Sequence, residues 1–134
     1  MTLIEHAIKA REKSYCKYSG FAVGAALLCD DGSIYTGCNI ENSSYSPTLC
    51  AERVAFSKAI SDGKTKFVKI AVVGGPRDDE PDYCTPCGVC RQFMTEFCGK
   101  DFIIQLKKGD SVREYTLSEM IPHSFCIDGD YHEV

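Results

Sequence analysis

The stretch Phe67-Val68-Lys69-Ile70-Ala71-Val72-Val73 decides the fold of this chain. All of its residues except Lys69 are apolar. A strand with one solvated face alternates between apolar and polar residues, whereas a strand buried on both faces is apolar almost throughout. The stretch therefore predicts a central strand that needs a layer of helices on each side.

Three helices are predicted around this strand. Residues 48–60 have helical character, and we expect that helix to begin near Thr48. The next helix follows the central strand, with Thr85 as its cap and Pro86 at its first position, where proline is favoured. A third helix is predicted over residues 2–15, because an apolar stripe follows a capping-box pattern at its start.

The remaining strands form two predicted hairpins. Phe21–Cys29 and residues 33–39 are separated by a turn of a few residues, and residues 102–106 and 112–116 by another. Links this short cannot cross over a sheet, so both pairs should be antiparallel. The order helix, hairpin, helix, strand, helix, hairpin predicts an α/β fold with three layers, α/β/α, around a mixed five-stranded sheet.

Length and composition restrict the class of protein. A chain of 134 residues is expected to form a single domain over residues 1–134. The formal net charge of −4 and the lack of a basic cluster disfavour binding to nucleic acid. No apolar run has the length of a membrane span, and no signal peptide is recognisable at the N-terminus. Nine cysteines, an odd number, without an export signal favour a reduced cytoplasmic protein that uses some thiols to bind metal.

Cys50, Cys87 and Cys90 are the candidate metal ligands. They lie near the starts of two predicted helices, where free N–H groups and the helix dipole favour thiolates. The spacing of three between Cys87 and Cys90 places both sulfurs on one helical face. A catalytic zinc ion typically has three protein ligands and a fourth position open to water. The pattern predicts one zinc ion bound by these three residues.

Two residues beside Cys50 suggest catalysis at this metal. Glu52 lies in the same first helical turn, where its carboxylate can take a proton from the attacking water and pass it to a substrate. Arg53 could donate to a ligand sulfur and offset the charge of three thiolates around one divalent ion.

Cys84 leaves an alternative open. Together with Cys87 and Cys90 it forms the pattern C-x-x-C-x-x-C, and with Cys50 these residues could close a structural four-cysteine zinc site. A zinc-stabilised binding module of that kind would have no use for Glu52. We therefore favour the catalytic interpretation.

Five segments together form a specific pattern, namely residues 18–27, 37–42, 50–53, 86–92 and 122–125. Through these segments the chain closely resembles the small, cysteine-type cytidine deaminases of pyrimidine salvage. The resemblance implies zinc-dependent hydrolysis of cytidine and 2′-deoxycytidine to uridine and 2′-deoxyuridine with release of ammonia. It also implies that Glu52 protonates ring nitrogen 3 and then the leaving amine.

The same resemblance implies roles in binding the nucleoside. Asn39 and Glu41 correspond to the residues that hydrogen-bond the ribose hydroxyls. Phe21 corresponds to the ring that packs on the pyrimidine. The Ala51 N–H and the Thr85 carbonyl correspond to backbone groups that orient the base.

Family members are typically homotetramers with one zinc ion per subunit, and Phe125 corresponds to an aromatic residue that reaches the active site of a neighbouring subunit. The closest alternative is a related enzyme on the same scaffold, such as a blasticidin-S deaminase. Residues 39–42 and the C-terminal Pro122-x-x-Phe125 pattern favour cytidine over blasticidin.

Overall fold

The structure, a computed structural model, describes residues 1–127. Within that range no helix is long and apolar enough to cross a membrane. In chain order the elements are α1 (Leu3–Arg11), β1 (Phe21–Cys29), β2 (Ile34–Cys38), α2 (Ala51–Ser61), β3 (Phe67–Pro76), α3 (Gly88–Phe97), β4 (Ile103–Lys108), β5 (Ser111–Thr116) and α4 (Leu117–Met120).

The strands form one mixed five-stranded sheet in the order β2-β1-β3-β4-β5. Both predicted hairpins are confirmed, because β1 pairs antiparallel with β2 and β4 pairs antiparallel with β5. β1 and β3 are also antiparallel, whereas β3 and β4 run parallel. A parallel pair needs a long crossover connection, and α3 lies in that connection.

The central strand β3 is buried on both faces, as its composition predicts. Ile70 and Val72 belong to a core cluster that includes Phe56 of α2 and Met94 of α3. The intervening Ala71 and Val73 belong to a second cluster with Ile4 and Ala7 of α1. Because alternate residues of a strand point to opposite faces, α1 covers one face and α2 and α3 cover the other. The predicted α/β/α architecture is confirmed.

Two glycines allow helices to approach the sheet closely. A Cβ atom on Gly24 of β1 would lie 2.1 Å from the carbonyl oxygen of Ala7 in α1. A Cβ atom on Gly37 of β2 would lie 2.5 Å from the carbonyl oxygen of Ala51. The second contact fixes the first turn of α2 against the sheet, beside Cys50.

Helix α2 begins three residues later than the sequence suggests. Cys50, and not Thr48, is its N-cap residue. The Thr48 hydroxyl instead accepts a hydrogen bond of 3.2 Å from the N–H of Asn42. Thr48, near which the helix was expected to begin, therefore belongs to the loop before it.

Helix α3 also begins later than predicted, since Cys87 is its N-cap residue and Thr85 and Pro86 precede it.

Helix α1 is shorter than predicted and ends at Arg11. The Arg11 guanidinium donates to the carbonyl oxygens of Ala22, at 2.8 Å, and Gly75, at 2.9 Å. These bonds tie the end of α1 to two strands of the sheet.

Candidate active site

Three cysteine sulfurs converge where α2 and α3 begin. The Sγ atoms of Cys50, Cys87 and Cys90 all lie within 4.8 Å of one another, and those of Cys50 and Cys87 are 3.6 Å apart. A tetrahedral zinc ion with Zn–S bonds of about 2.3 Å separates its sulfur ligands by about 3.8 Å. The spacing fits one zinc ion. Cys90 is buried and Cys87 is exposed, so the cluster is open to solvent on one side.

The positions of the three cysteines at the starts of two helices affect the pKa values of their thiols. Cys50 and Cys87 are N-cap residues, and Cys90 is the third residue of α3. Hydrogen bonds from Cys90, Arg53 and Cys87 lower the pKa of the Cys50 thiol to about 5. The same shared hydrogen bond, together with burial, raises the pKa of Cys90. A divalent cation bound by these sulfurs would displace the protons that they carry.

Glu52 is the second residue of α2 and is only 4% exposed. Burial raises the pKa of its carboxyl to about 7, and the nearby charge of Cys50 adds to the rise. A buried carboxyl beside a thiolate cluster is unusual in a protein core, where charged groups are avoided unless they are paired. Glu52 is therefore a candidate for proton transfer, as its position in the sequence predicts.

Arg53 lies against the thiolates. Its Nη2 atom donates to the carbonyl oxygen of Thr48 at 3.2 Å and lies 3.6 Å from the Cys50 sulfur. The contact with Cys50 raises the pKa of the guanidinium. Its buried Nε atom has no hydrogen-bond partner among the described residues. The geometry agrees with the predicted contact between Arg53 and a ligand sulfur.

Cys84 does not join the sulfur cluster of residues 1–127. Its side chain packs on the central strand, and a Cβ atom on Gly74 would lie 2.7 Å from its Sγ. Burial, followed by the nearby charges of Glu52 and Cys50, raises the pKa of this thiol to about 12. These positions give no support to the four-cysteine alternative.

Residues 1–106 match the family model described as the cytidine and deoxycytidylate deaminase zinc-binding region.

The chain belongs to this deaminase family.

The likeness extends over most of the chain. The cytidine deaminase of Sporosarcina psychrophila is 50% identical over 92% of this chain and 88% of its own length. The crystal structure of the cytidine deaminase from Burkholderia pseudomallei superimposes with a TM-score of 0.85, at 41% identity, over 93% of this chain and all of that one. The blasticidin-S deaminase of Bacillus cereus is 34% identical over 75% of this chain and 74% of its own length.

The predicted sugar-binding residues of the deaminase lie next to the segment that carries Cys50. An isolated β-bridge joins Ile40 to Leu49, the residue before Cys50. Asn39 and Glu41 are the residues immediately before and after Ile40 in this bridge. Asn39 is also tied to Phe21, because its Nδ2 atom donates to the Phe21 carbonyl at 2.8 Å.

Most of the hydrogen-bonding capacity of Asn39 is used inside the protein. Its Oδ1 atom accepts from the Val23 N–H at 2.9 Å and from the Ser14 hydroxyl, and its Nδ2 atom donates to Phe21. A primary amide has two acceptor and two donor positions. Within residues 1–127, one N–H of the Asn39 side chain is left for a ligand.

Glu41 is engaged in a similar way by the loop before β1. Its Oε1 atom accepts from the N–H groups of Tyr18 and Ser19 at 3.0 and 3.1 Å, and its Oε2 atom accepts from the Ser19 hydroxyl. These bonds hold the pKa of Glu41 below its usual value, the Ser19 hydroxyl having the largest effect. The ionised carboxylate retains an acceptor position on Oε2.

An open cavity of about 420 Å³ lies beside Glu41. A volume of this order suits a small molecule such as a nucleoside. Its lining residues come from the loop before β1 and from the segment between β2 and α2, and comprise Tyr18, Ser19, Glu41, Asn42, Tyr45 and Thr48.

The other predicted binding residues, Phe21, Ala51, Thr85 and Phe125, are not among the lining residues given for this cavity. Ala51 is the first residue of α2, so its N–H has no acceptor within the helix. Thr85 is exposed in the loop before α3, and Phe21 is 41% exposed at the start of β1. Phe125 is 52% exposed and lies beyond α4, so the structure does not show it packed into the core of its own chain.

The C-terminal segment is held against α3, a contact that was not predicted. Gln92 donates to the Phe125 carbonyl at 3.2 Å, and the Cys126 thiol donates to the Thr95 carbonyl at 3.1 Å. Ser124 and Cys126 are buried, whereas Phe125 and Ile127 point outward. The alternation of small buried and large exposed residues is the pattern that could have indicated an extended, docked segment.

Proposed function

We propose that this protein is a zinc-dependent cytidine deaminase of pyrimidine salvage, with its single domain spanning residues 1–134. It hydrolyses cytidine and 2′-deoxycytidine to uridine and 2′-deoxyuridine and releases ammonia. The observation that carries the proposal is the cluster of Cys50, Cys87 and Cys90 at two helix starts, with the buried Glu52 beside it.

In this proposal the three cysteines hold one zinc ion per subunit. When bound, zinc supplies Lewis-acid activation of the attacking water. Glu52 accepts the proton of that water, delivers it to ring nitrogen 3 of the pyrimidine, and carries a second proton to the leaving amine. The burial of Glu52 shields this transfer from bulk water. Arg53 offsets part of the thiolate charge through its contact with Cys50.

Asn39 and Glu41 provide the binding groups for the ribose. Asn39 has one N–H left to donate, and Glu41 has an acceptor position left on Oε2. A hydroxyl both accepts and donates, so a sugar hydroxyl complements this pair. Phe21 packs on the base, and the Ala51 N–H and the Thr85 carbonyl orient it.

The proposal includes a homotetramer in which Phe125 completes the site of a neighbouring subunit. Its support is the outward position of Phe125 together with other large exposed side chains. These are Tyr15 and Tyr18, between α1 and β1, and Ile40 and Tyr45, between β2 and α2. A cytoplasmic location is also proposed. It is supported by eight of the cysteines of residues 1–127 that are free thiols, namely Cys16, Cys29, Cys38, Cys50, Cys84, Cys87, Cys90 and Cys98.

Ammonia release from cytidine tests the proposal directly. Purified zinc-loaded protein is expected to deaminate cytidine and 2′-deoxycytidine, as followed by the absorbance change of the pyrimidine. Turnover of blasticidin S but not of cytidine would instead favour a blasticidin-S deaminase. Absence of turnover with cytidine, 2′-deoxycytidine, cytosine and blasticidin S would favour a zinc-stabilised binding module.

Glu52→Gln tests the proton-transfer role. The amide keeps the shape of the side chain but cannot carry a proton, so we expect zinc content to be unchanged and kcat to fall by roughly 10²- to 10⁴-fold. Glu96→Gln, the same change at an exposed position of α3, is the matched control and should retain full activity. A Glu52→Gln enzyme with a near-normal rate would refute the role.

A further inference from the structure

Ser14 lies between α1 and β1 and is buried, at 7% exposure. Its N–H donates to the Arg11 carbonyl at 3.1 Å, and its own carbonyl accepts from the Arg77 guanidinium. The backbone of Ser14 is therefore held from both sides. Neither bond uses its hydroxyl, which is available for a specific contact.

The Ser14 hydroxyl is directed at Asn39. It donates to the Asn39 Oδ1 atom and also lies 3.5 Å from the Asn39 backbone oxygen. The Val23 N–H donates to the same Oδ1 atom, and the Phe21 carbonyl accepts from Nδ2. A flipped amide would place donor against donor at Val23 and acceptor against acceptor at Phe21, so the network defines the orientation of the amide.

The hydroxyl of Ser14 fills the second acceptor position of Oδ1. With both positions of Oδ1 occupied, the side chain cannot accept a hydrogen bond from a ligand or from water. It can only donate, through the remaining N–H. Without the hydroxyl, Oδ1 would regain a vacant acceptor position and the amide would lose one of its three fixed contacts.

We propose that Ser14 is a positioning residue of this deaminase: its hydroxyl holds the Asn39 amide so that a single N–H faces the sugar of the nucleoside. The inference rests on the proposed function, since it assigns Asn39 to the ribose. It adds a residue that touches neither substrate nor metal and that acts only through Asn39.

Ser14→Ala tests the inference in the zinc-loaded enzyme. Loss of one hydrogen bond from the network is expected to raise KM for cytidine roughly two- to tenfold, with kcat and zinc content unchanged. With 2′,3′-dideoxycytidine, which lacks the 2′- and 3′-hydroxyls, the variant and the wild type should have the same KM. Ser33→Ala is the matched control, because it removes a hydroxyl that donates to Asp31 in the β1–β2 turn.

Ser14→Cys is the second variant and carries the test if Ser14→Ala fails to fold. A thiol is a weaker donor than a hydroxyl. The KM of Ser14→Cys for cytidine should therefore exceed that of the wild type and, where Ser14→Ala folds, lie below that of Ser14→Ala. An unchanged KM for cytidine, or an equal loss with both nucleosides, would overturn the role of Ser14 while leaving the proposed function intact. A wild-type protein that turns over neither nucleoside would overturn the proposed function, and the inference with it.

Discussion

At the scale of single residues, Cys84 and Cys87 differ in what they contact, although both precede α3. Cys87 lies 3.6 Å from Cys50, whereas Cys84 packs on Gly74. We therefore expect Cys84→Ala to retain zinc at one equivalent and Cys87→Ala to lose most of it. Metal analysis after gel filtration checks this. Equal zinc loss in both variants would favour the structural four-cysteine zinc site.

Arg53 leads to a prediction about how tightly the metal is held. Its guanidinium joins the Thr48 carbonyl to the Cys50 sulfur, and a hydrogen bond from a cation stabilises a thiolate ligand. Arg53→Gln should speed the transfer of zinc to a competing chelator by roughly tenfold or more, in line with the usual effect of such substitutions. Lys64→Gln, which removes a cation from the ion pair with Asp31, is the control. Identical transfer rates in the two variants would contradict the assignment.

At the scale of secondary-structure elements, the contact between α1 and β1 depends on Gly24. An added Cβ would meet the backbone of α1 at 2.1 Å from Ala7 and 2.5 Å from Arg11, and a backbone cannot rotate away as a side chain can. Gly24→Ala should destabilise the protein by about 3 kcal/mol and lower Tm by roughly 10 °C in a thermal scan. Gly99→Ala, where the added atom meets nothing within 4 Å, should change Tm by no more than roughly 2 °C.

The elements themselves were largely predictable from the sequence. The apolar run of β3 and the short links of the hairpins reflect local constraints, which are visible along the chain. The helix starts were misplaced because Thr48 and Thr85 are good capping residues in isolation, whereas the folded protein places Cys50 and Cys87 there. The contact between Ser14 and Asn39 joins residues 25 positions apart. No local pattern marks such a pair, because only the packing of α1 on the sheet brings it together.

At the scale of the whole molecule, we expect a tetramer. Light scattering coupled to gel filtration should give four times the chain mass of 14.8 kDa. Phe125→Ala should fold and retain zinc, because Phe125 contributes little to its own core. It should lose activity, because the neighbouring site would lack its aromatic ring. A monomer of full activity would refute both statements.

Mixed oligomers can show whether Phe125 acts across the subunit boundary. Glu52→Gln subunits have an intact Phe125, and Phe125→Ala subunits have an intact Glu52. If Phe125 serves the neighbouring site, the two variants produced together should show more activity than the sum of the two alone. Simple additivity would place Phe125 in the site of its own chain.

The contact between Cys84 and Gly74 has a consequence for the evolution of the family. A Cβ at position 74 would lie 2.7 Å from the Cys84 sulfur and 3.0 Å from Val23, so these positions share a fixed volume. Relatives that carry alanine or a larger residue at position 74 should carry a smaller residue at position 84. Such paired substitutions would indicate that the residue at position 84 is selected for its packing beside the central strand and not for metal binding.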